Sequence, residues 1–459
     1  MARVLQIDGS KIIDPDAQEV LLRGCGLGGW MNMENFITGY PGTESQQREA
    51  LADVIGAERA EAFFDYFLEV FFADADAAFL RASGMNCVRL PINYRHFERD
   101  EAPFELLEDG FRHLDRVIDV CARNELYTII DLHALPGFQN QGWHSDNPTH
   151  KAFFWDHPHF QERAIHLWRE MARRYRDNPW VAGYNPVNEP ADPTGARIMP
   201  FYERVCEAIW DEDPDHLIFL EGNRYSTDFS MFGDPWPKIV YSLHDYALSG
   251  FVDAGPYPGV SRGTYIDRNE LQRTFERRAG YMLEHGLPMW VGEFGPVYTG
   301  VEQLDEVRYQ ILRDQLDIYE NADAHWSIWT YKDVDLQGLA YLPQDAAWRQ
   351  HLSTVLRKKE RLGVDSWGAT DAHVRSVMQP LEDLFTAAFP DYEPFPFGSR
   401  WLVHRLVRHM LFSEPMAHDW AACFDSLSDD ELRGLLDGFR FENCATRDRL
   451  VQELKPYLH

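Results

Sequence analysis

The sequence has few lysines and lacks any excess of positive charge. Seven of its 459 residues are lysine, and 44 basic side chains stand against 74 acidic ones, for a formal net charge of −30. Binding of a phosphate backbone needs a basic surface, so we expect no nucleic-acid partner. Attraction to an anionic membrane needs the same charge, so we expect no membrane partner either. A neutral ligand is little affected by the acidic excess, which mainly keeps the protein soluble.

Paired cysteine motifs are also missing. The six cysteines lie at isolated positions, and no two of them have the CxxC spacing of a zinc site or a redox pair. Histidines between residues 144 and 159 lack the i,i+4 pair of the HExxH motif. We therefore predict no metal and no cofactor. Scattered cysteines in a long chain are typical of a reducing compartment.

Long hydrophobic runs are absent as well. No stretch of about 18 apolar residues could span a membrane, and the opening MARVLQIDGS has no apolar core of a secretory signal. We therefore expect a cytoplasmic location, or secretion if a leader peptide has been trimmed from this sequence. Hydrophobic residues make up 45% of the chain and aromatics 14%, which is enough for a sizeable core.

Eight short apolar segments recur along the chain, and most are separated by segments with the period of an amphipathic helix. The predicted strands cover residues 21–29, 85–92, 126–134, 181–189, 217–223, 239–246, 288–295 and 325–333. This alternation predicts a (β/α)8 barrel. The alternative is a doubly wound open sheet, but no GxGxxG follows the first strand in the required strand–turn–helix context. The weakest predicted helix is RYSTDFSMFGDPWPK, between the fifth and sixth strands.

The two ends of the chain differ from this central pattern. The start, VLQIDGSKIIDPDAQEVLL, is typical of a hairpin that could cover the bottom of the barrel. From about residue 363 only amphipathic helical segments follow. We predict a catalytic barrel over residues 1–362 and a helical C-terminal extension over residues 363–459. The extension could pack on the barrel, shape a substrate cleft or mediate homo-oligomerisation, and the sequence leaves these alternatives open.

Polar residues stand at the ends of the predicted strands, where a (β/α)8 barrel builds its active site. In strand order they are Arg89, Asp131 and His133, Asn188 and Glu189, His244 and Tyr246, Glu293, and finally Trp326, Trp329 and Lys332. Glu189 and Glu293 belong to the fourth and seventh strands, nearly opposite each other around the ring. We interpret this set as an active site rather than as helix caps and turn residues, except for Trp326, whose neighbouring register is more typical of the core.

Two carboxylates across a barrel mouth are what glycoside hydrolysis needs. One acts as acid/base and the other as nucleophile or base, at a separation of about 5–5.5 Å for retention and about 6.5–9.5 Å for inversion. We expect Arg89 to favour the ionised form of Glu293, with Tyr246 donating a hydrogen bond to it. Asn188 could hold a sugar 2-OH, and Trp329 could form an apolar floor for the sugar ring.

Three motifs carry a family resemblance. NEP after strand four, GEFG at the end of strand seven and LRGCGLGGW at strand one resemble glycoside hydrolase family 5, over roughly residues 5–335. The resemblance implies a retaining double displacement, with Glu189 as acid/base and Glu293 as nucleophile. It places the supporting residues at Arg89, His133, Asn188, His244, Tyr246 and Trp329.

Two further segments resemble the exo-acting β-1,3-glucanases of that family. The opening RGCGLGGWMNMEN is similar to theirs and implies that Glu34 contacts the terminal sugar. The loop LHALPGFQNQGWHSDN is similar to their loop after strand three and implies that Asn140 is a sugar ligand. Departures from the pattern at Cys25 and Gly26 and the long loops after strands three and six leave the sugar and the linkage open.

We therefore predict a retaining exo-acting β-glycosidase that releases terminal β-linked glucose or mannose from oligosaccharides or glycoconjugates. Within the same family, a β-mannosidase and an endo-β-glucanase remain as alternatives. From a different class, an inactive carbohydrate-binding barrel remains.

Overall fold

Eight parallel strands form a closed barrel in chain order in the computed structural model, which describes residues 4–247, 255–261, 263–364, 367 and 371–458. They are β1 (Arg23–Gly26), β2 (Cys87–Asn93), β3 (Tyr127–Ala134), β4 (Val181–Asn185), β5 (Leu217–Glu221), β6 (Ile239–His244), β7 (Met289–Phe294) and β8 (His325–Ile328). Each strand pairs with the next, and β8 pairs with β1. The predicted (β/α)8 barrel is confirmed.

The observed strands begin within two residues of the predicted ones but several end earlier. β4 stops at Asn185, four residues before Glu189, because Pro186 has no N–H to continue the ladder. The residues of NEP therefore lie on the loop above the strand. The consequence is that Glu189 is held by loop contacts and not by sheet hydrogen bonds.

Helices follow seven of the eight strands. They are Asn35–Thr38, Glu44–Ile55, Ala57–Phe71 and Asp74–Ala82 after β1; Glu108–Arg123 after β2; Pro158–Tyr175 after β3; Ile198–Glu212 after β4; Arg268–Arg278 and Gly280–His285 after β6; Glu302–Asn321 after β7; and Ala347–His351 and Ser353–Leu362 after β8. After β5 the only helical turn, Asn223–Ser226, carries left-handed residues at Arg224 and Tyr225. The weakest predicted helix is thus replaced by an irregular loop.

The N-terminal hairpin closes the bottom of the barrel, as predicted. Its strands Gln6–Asp8 and Lys11–Ile13 pair in antiparallel fashion. Leu5 and Ile12 are buried in one cluster with interior residues of the barrel such as Val240 and Trp290. This seals the end of the barrel opposite the strand-end carboxylates.

The C-terminal extension is helical and shares the core of the barrel. Its helices are Arg375–Ala388, Ser399–His404, a π-helix Arg405–Leu411, Ser413–Ala422, Asp429–Leu436 and Asp448–Leu454. The ring of Phe424 lies 5.7 Å from that of Phe63, and the ring of Phe439 lies 5.3 Å from that of Trp348. A short strand, Ala445–Thr446, pairs with Ala340–Tyr341. Of the three alternatives, packing on the barrel is thus observed, and homo-oligomerisation stays a prediction.

Membrane-spanning helices were not expected from the sequence. Within the part of the chain that the structure describes, no helix has the length and apolar character needed to cross a bilayer.

Candidate active site

Glu189 lies between two histidines at the carboxyl end of the barrel. Its Oε1 is 2.7 Å from His244 Nδ1, and its Oε2 is 2.9 Å from His144 Nε2. Its backbone N–H donates to Glu221 Oε2 at 2.7 Å, and its φ of 46° is left-handed. These contacts hold the carboxylate toward the cavity from the loop above β4.

Glu293, on β7, is held by the two partners that the sequence predicts. Arg89 Nη1 donates to its Oε1 at 2.5 Å, and the Tyr246 hydroxyl donates to its Oε2 at 3.1 Å. The Arg89 guanidinium also contacts Glu221 and Asp131, each at 3.1 Å. Burial lowers the pKa of Arg89, but these three carboxylates outweigh it and raise that pKa, so the guanidinium stays charged beneath Glu293.

The protons of the site rest on His244 rather than on Glu189. Burial raises the pKa of Glu189, but the interactions with His144 and His244 outweigh it and hold that pKa below its usual range. Burial lowers the pKa of His244, but Glu293, Glu221 and Glu189 raise it to about 10. The Glu189 carboxylate is therefore ionised beside an imidazolium.

A second layer of polar residues lies behind the two carboxylates. Asn188 Oδ1 accepts from Arg89 Nη2 at 2.7 Å, and its Nδ2 lies 3.2 Å from His133 Nε2. Because an amide N–H can only donate, His133 carries its proton on Nδ1, which faces Asp131 at 2.7 Å. Burial lowers the pKa of His133 to about 3 and raises that of Asp131 to about 8. His133 is therefore neutral and fixed in one tautomer.

Trp329 forms the floor of the site. Its ring stacks on His133 with centroids 5.5 Å apart and planes 8° from parallel. A Cβ at Gly26 or at Gly28 would come within 2.5 Å of this ring. Two of the glycines of RGCGLGG, Gly26 and Gly28, therefore make room for the indole against β1.

A cavity of about 360 Å³ opens above these groups, at the small end of the roughly 300–1,000 Å³ typical of ligand pockets. Six of its lining residues come from the C-terminal extension: Trp367, Phe397, Trp401, His404, Arg405 and His409. The extension therefore forms a wall of the cavity as well as packing on the barrel.

The structure brings most of the predicted residues to this cavity. Glu34, His133, Glu189, His244, Tyr246, Glu293 and Trp329 line it. Glu34 Oε1 lies 3.8 Å from His133 Nε2. Arg89 and Asn188 are fully buried directly behind the lining, where both hold other side chains in place, and the contact of Asn188 with a sugar 2-OH stays a prediction.

Two predicted placements differ from what the structure shows. Asn140 is fully buried, donates to the Glu189 carbonyl at 3.0 Å and accepts from Gly142 N–H at 2.7 Å. It therefore fixes the loop and does not reach the cavity as a sugar ligand would. Lys332 points away from the rim into the core, where its Nζ binds Asp76 at 2.6 Å and the Phe439 carbonyl at 2.7 Å.

Several site residues were missed from the sequence. Glu221 is the last residue of β5, within the predicted segment LIFLEGN, so the same strand-end argument that found Glu293 could have found it. His144 lies in a loop without periodicity, and nothing in its neighbourhood marked it as the partner of Glu189. The extension residues are more than 170 positions from Glu189, and no local pattern predicts such long-range contacts.

A cation site can be tested on the same residues. Among the described residues, Glu189, His244 and Glu293 place one donor atom each within 4.8 Å of one another. However, the Arg89 guanidinium already binds Glu293, and His244 holds a proton beside Glu189. A cation would have to compete with these positive groups, so the donor set fits proton chemistry better than metal binding.

Comparisons with known proteins agree with this geometry. Residues 60–335 match the family model described as Cellulase (glycosyl hydrolase family 5). A "Beta-xylosidase" from Phanerodontia chrysosporium is 50% identical over 465 residues, which cover 98% of this chain and 97% of that protein. A "Probable glucan 1,3-beta-glucosidase A" from Aspergillus clavatus is 29% identical over 50% of this chain and 57% of that protein.

Solved structures share the barrel. The crystal structure of endogalactoceramidase superposes with a TM-score of 0.52 at 18% identity, covering 72% of this chain and 75% of that one. At this identity the likeness concerns the fold. The family match and the 50% identical relative, which span most of the chain, carry the assignment: this chain belongs to glycosyl hydrolase family 5 and is a glycoside hydrolase.

Proposed function

We propose that the chain is a retaining exo-acting β-glycosidase that releases a terminal β-linked glucose or mannose from an oligosaccharide or glycoconjugate. The observation that carries the proposal is the cavity: two carboxylates face each other at its base, and the extension walls it. The family assignment supports the chemistry, and the cavity supports the mode of action.

The spacing of the carboxylates supports retention. One oxygen of Glu189 and one oxygen of Glu293 lie within 4.8 Å of each other, which is compatible with the carboxyl separation of roughly 5–5.5 Å in retaining enzymes and less so with the roughly 6.5–9.5 Å of inverting ones. A gap this narrow leaves no room for a water between the second carboxylate and the sugar. Glu293 would therefore attack the anomeric carbon itself.

The two carboxylates have different partners, and this supports different roles. Glu293 accepts hydrogen bonds from Arg89 and Tyr246, which suit an ionised nucleophile. In the first step its oxygen bonds to the anomeric carbon while the glycosidic C–O bond breaks, and Glu189 gives a proton to the departing oxygen. In the second step Glu189 takes a proton from water, whose oxygen attacks the anomeric carbon and releases Glu293.

Proton delivery by Glu189 draws on its histidines. The carboxylate is ionised beside its histidines, whereas protonation of a leaving group needs its acid form. A neutral substrate that excludes water would raise the pKa of Glu189 by desolvation. The proton would then pass to it from an adjoining imidazole at 2.7 or 2.9 Å.

The position of the extension supports exo action. An endo-acting enzyme needs an open cleft through which a polymer passes on both sides of the cleaved bond. Here Trp367 contacts Tyr246, with ring centroids 4.9 Å apart, and Trp143 stacks on His409 at 4.0 Å. Aromatic walls on both sides of the carboxylates favour a pocket for a chain end.

Xylose is a second candidate for the released sugar, because the 50% identical relative is described as a β-xylosidase. Hydrolysis of 4-nitrophenyl β-glucoside, β-mannoside, β-galactoside and β-xyloside would rank the sugars. Product lengths from laminari- and manno-oligosaccharides would report the mode of action. Internal cleavage at random positions would contradict exo action.

The nucleophile assignment is tested by Glu293→Gln, with the exposed Glu284→Gln as the matched control. We expect the first variant to lose at least about 10³-fold in kcat/KM and the control to keep its activity. Proton NMR of the first-formed sugar should show the β anomer. An initial α product, or full activity of Glu293→Gln, would refute the mechanism.

A further inference from the structure

A buried cluster of positive and proton-donating groups lines the cavity on the Glu189 side. Arg405 has only 2% of its surface exposed. Its guanidinium donates to the carbonyls of Thr149 at 3.2 Å and Asn147 at 3.5 Å, and to His409 Nδ1. Among the described residues no carboxylate forms an ion pair with it, and its Nε has no acceptor. In a chain of net charge −30, a buried guanidinium without a carboxylate is unexpected, because buried charges are normally paired.

The two neighbouring histidines also lack acceptors for their protons. Arg408 Nη1 lies 2.9 Å from His404 Nδ1, and Arg405 Nη1 contacts His409 Nδ1. Because a guanidinium can only donate, both Nδ1 atoms are acceptors, and each neutral ring carries its hydrogen on Nε2. These two Nε2 atoms face each other at 3.3 Å. Two N–H groups that meet at this distance repel, whereas an oxygen acceptor within reach of both would satisfy them.

The cluster lies on the side of the leaving group. His144 contacts Glu189, the proposed proton donor, and the adjacent Trp143 stacks on His409 with ring centroids 4.0 Å apart. The floor proposed for the sugar ring, Trp329, stacks instead on a different histidine, His133. The walls around the cluster are aromatic and include Trp143, Phe397 and Trp401.

We propose that Arg405, His404 and His409 form a subsite for an oxyanion carried on an aromatic leaving group, such as an aryl carboxylate or sulfonate. The anion supplies the missing counter-charge for Arg405 and accepts from the two Nε2–H groups, while the aromatic walls stack on its ring. This proposal depends on the proposed function in one respect only, because that function identifies this side of the cavity as the side of the leaving group.

Calorimetry tests the subsite without any turnover. The probes are benzoate and benzenesulfonate, with benzamide as the neutral counterpart of similar shape. At least one of the anions should bind the wild-type protein more than tenfold more tightly than benzamide does. In Arg405→Gln this preference should fall at least tenfold, while the affinity for benzamide stays within twofold.

The matched control is Arg400→Gln, which removes an arginine from the same segment whose side chain is 69% exposed. It should bind the anions like the wild type. If Arg405→Gln does not fold, judged by circular dichroism, His409→Leu replaces it with the same expected result. Equal binding of benzamide and both anions to the wild type, or undiminished anion binding in these variants, would overturn the proposal.

A turnover measurement extends the test to substrates. The 4-carboxyphenyl and 4-carbamoylphenyl β-glycosides differ only in the charge at the end of the leaving group. The subsite predicts a higher kcat/KM for the carboxylate, with the preference lost in Arg405→Gln. If the enzyme hydrolyses neither compound, the proposed function is contradicted. The calorimetric result would still decide whether the subsite exists.

Discussion

Glu189 has a backbone conformation that is uncommon for a residue with a side chain. Its φ of 46° lies in the left-handed region, and such conformations cost on the order of 1–3 kcal/mol and cluster at functional sites. The N–H bond to Glu221 and the bond from Asn140 to its carbonyl hold it there. The conformation places the carboxylate between His144 and His244.

His144→Gln should impair the step that needs a proton. His144 acts through Glu189, so we expect kcat/KM to fall about tenfold for an alkyl β-glycoside, whose leaving group must be protonated. A 2,4-dinitrophenyl β-glycoside needs no proton and should change little.

The control is His157→Gln, which changes an exposed residue further along the same loop. It should leave kcat/KM unchanged for both substrates. Equal losses for both leaving groups would show that His144 only shapes the pocket.

His244 links stability to pH. Its pKa rises from 6.5 to about 10 on folding, so its protonation contributes stability that is fully present below about pH 6.5 and is lost as the pH rises toward 10. The wild type should therefore have a larger free energy of unfolding than His244→Asn. This difference should be largest near pH 6, on the order of 4 kcal/mol. Urea unfolding at pH 6, 8 and 10 would measure the decline; a difference independent of pH would contradict it.

At the scale of elements, β1 and the loop after β8 are fitted to each other. Gly26 and Gly28 lie under the Trp329 ring, and the Gly28 N–H donates to Thr330 Oγ1 at 3.2 Å. The floor of the site is thus set by the absence of side chains on a neighbouring strand.

Gly26→Ala should displace the Trp329 ring, because the new Cβ would lie 2.5 Å from it. We expect a loss of about 1–3 kcal/mol in stability from overpacking and a rise in KM for every glycoside tested. Gly434→Ala, in open space on a helix of the extension, is the control and should be neutral or stabilising. An unchanged KM in Gly26→Ala would show that the ring does not contact the sugar.

Strands and their polar ends were predictable because they depend on local sequence. A buried parallel strand is a short apolar run, and a polar residue within or at the end of that run faces the active-site end of the barrel, which is how Arg89, His133, His244 and Glu293 were found. The loop after β5 was the weakest helix prediction because its sequence lacks helical period. The orientation of Asn140 was not predictable, because a loop amide can face the cavity or the backbone and sequence does not distinguish the two.

At the scale of the whole molecule, the barrel and the extension share one apolar core. Phe439 is fully buried, and its ring contacts those of Phe67 and Trp348 at 5.2 and 5.3 Å. The predicted division at residue 362 marks a change of pattern along the chain, while these contacts tie the two parts together. Contacts between segments this far apart have no local sequence signal.

Phe439→Ala should therefore destabilise the entire protein. Deleting a buried aromatic side chain costs about 3–5 kcal/mol, and we expect a single cooperative transition at a lower midpoint by both circular dichroism and tryptophan fluorescence. Phe389→Ala, whose side chain lies on the extension and is 56% exposed, should shift the midpoint little. Two separate transitions, with the barrel unaffected, would show that the extension unfolds on its own.

The order of these parts along the chain has a consequence for biosynthesis. Both carboxylates, at positions 189 and 293, leave the ribosome before the cavity wall at 367–409 and the strand at 445–446. A nascent barrel therefore holds both carboxylates before the cavity wall exists. The apolar surface that the extension later covers is also exposed at that stage. The walled cavity is complete only after translation has passed the last of these residues, so any selectivity that the wall confers arises later in synthesis than the two carboxylates.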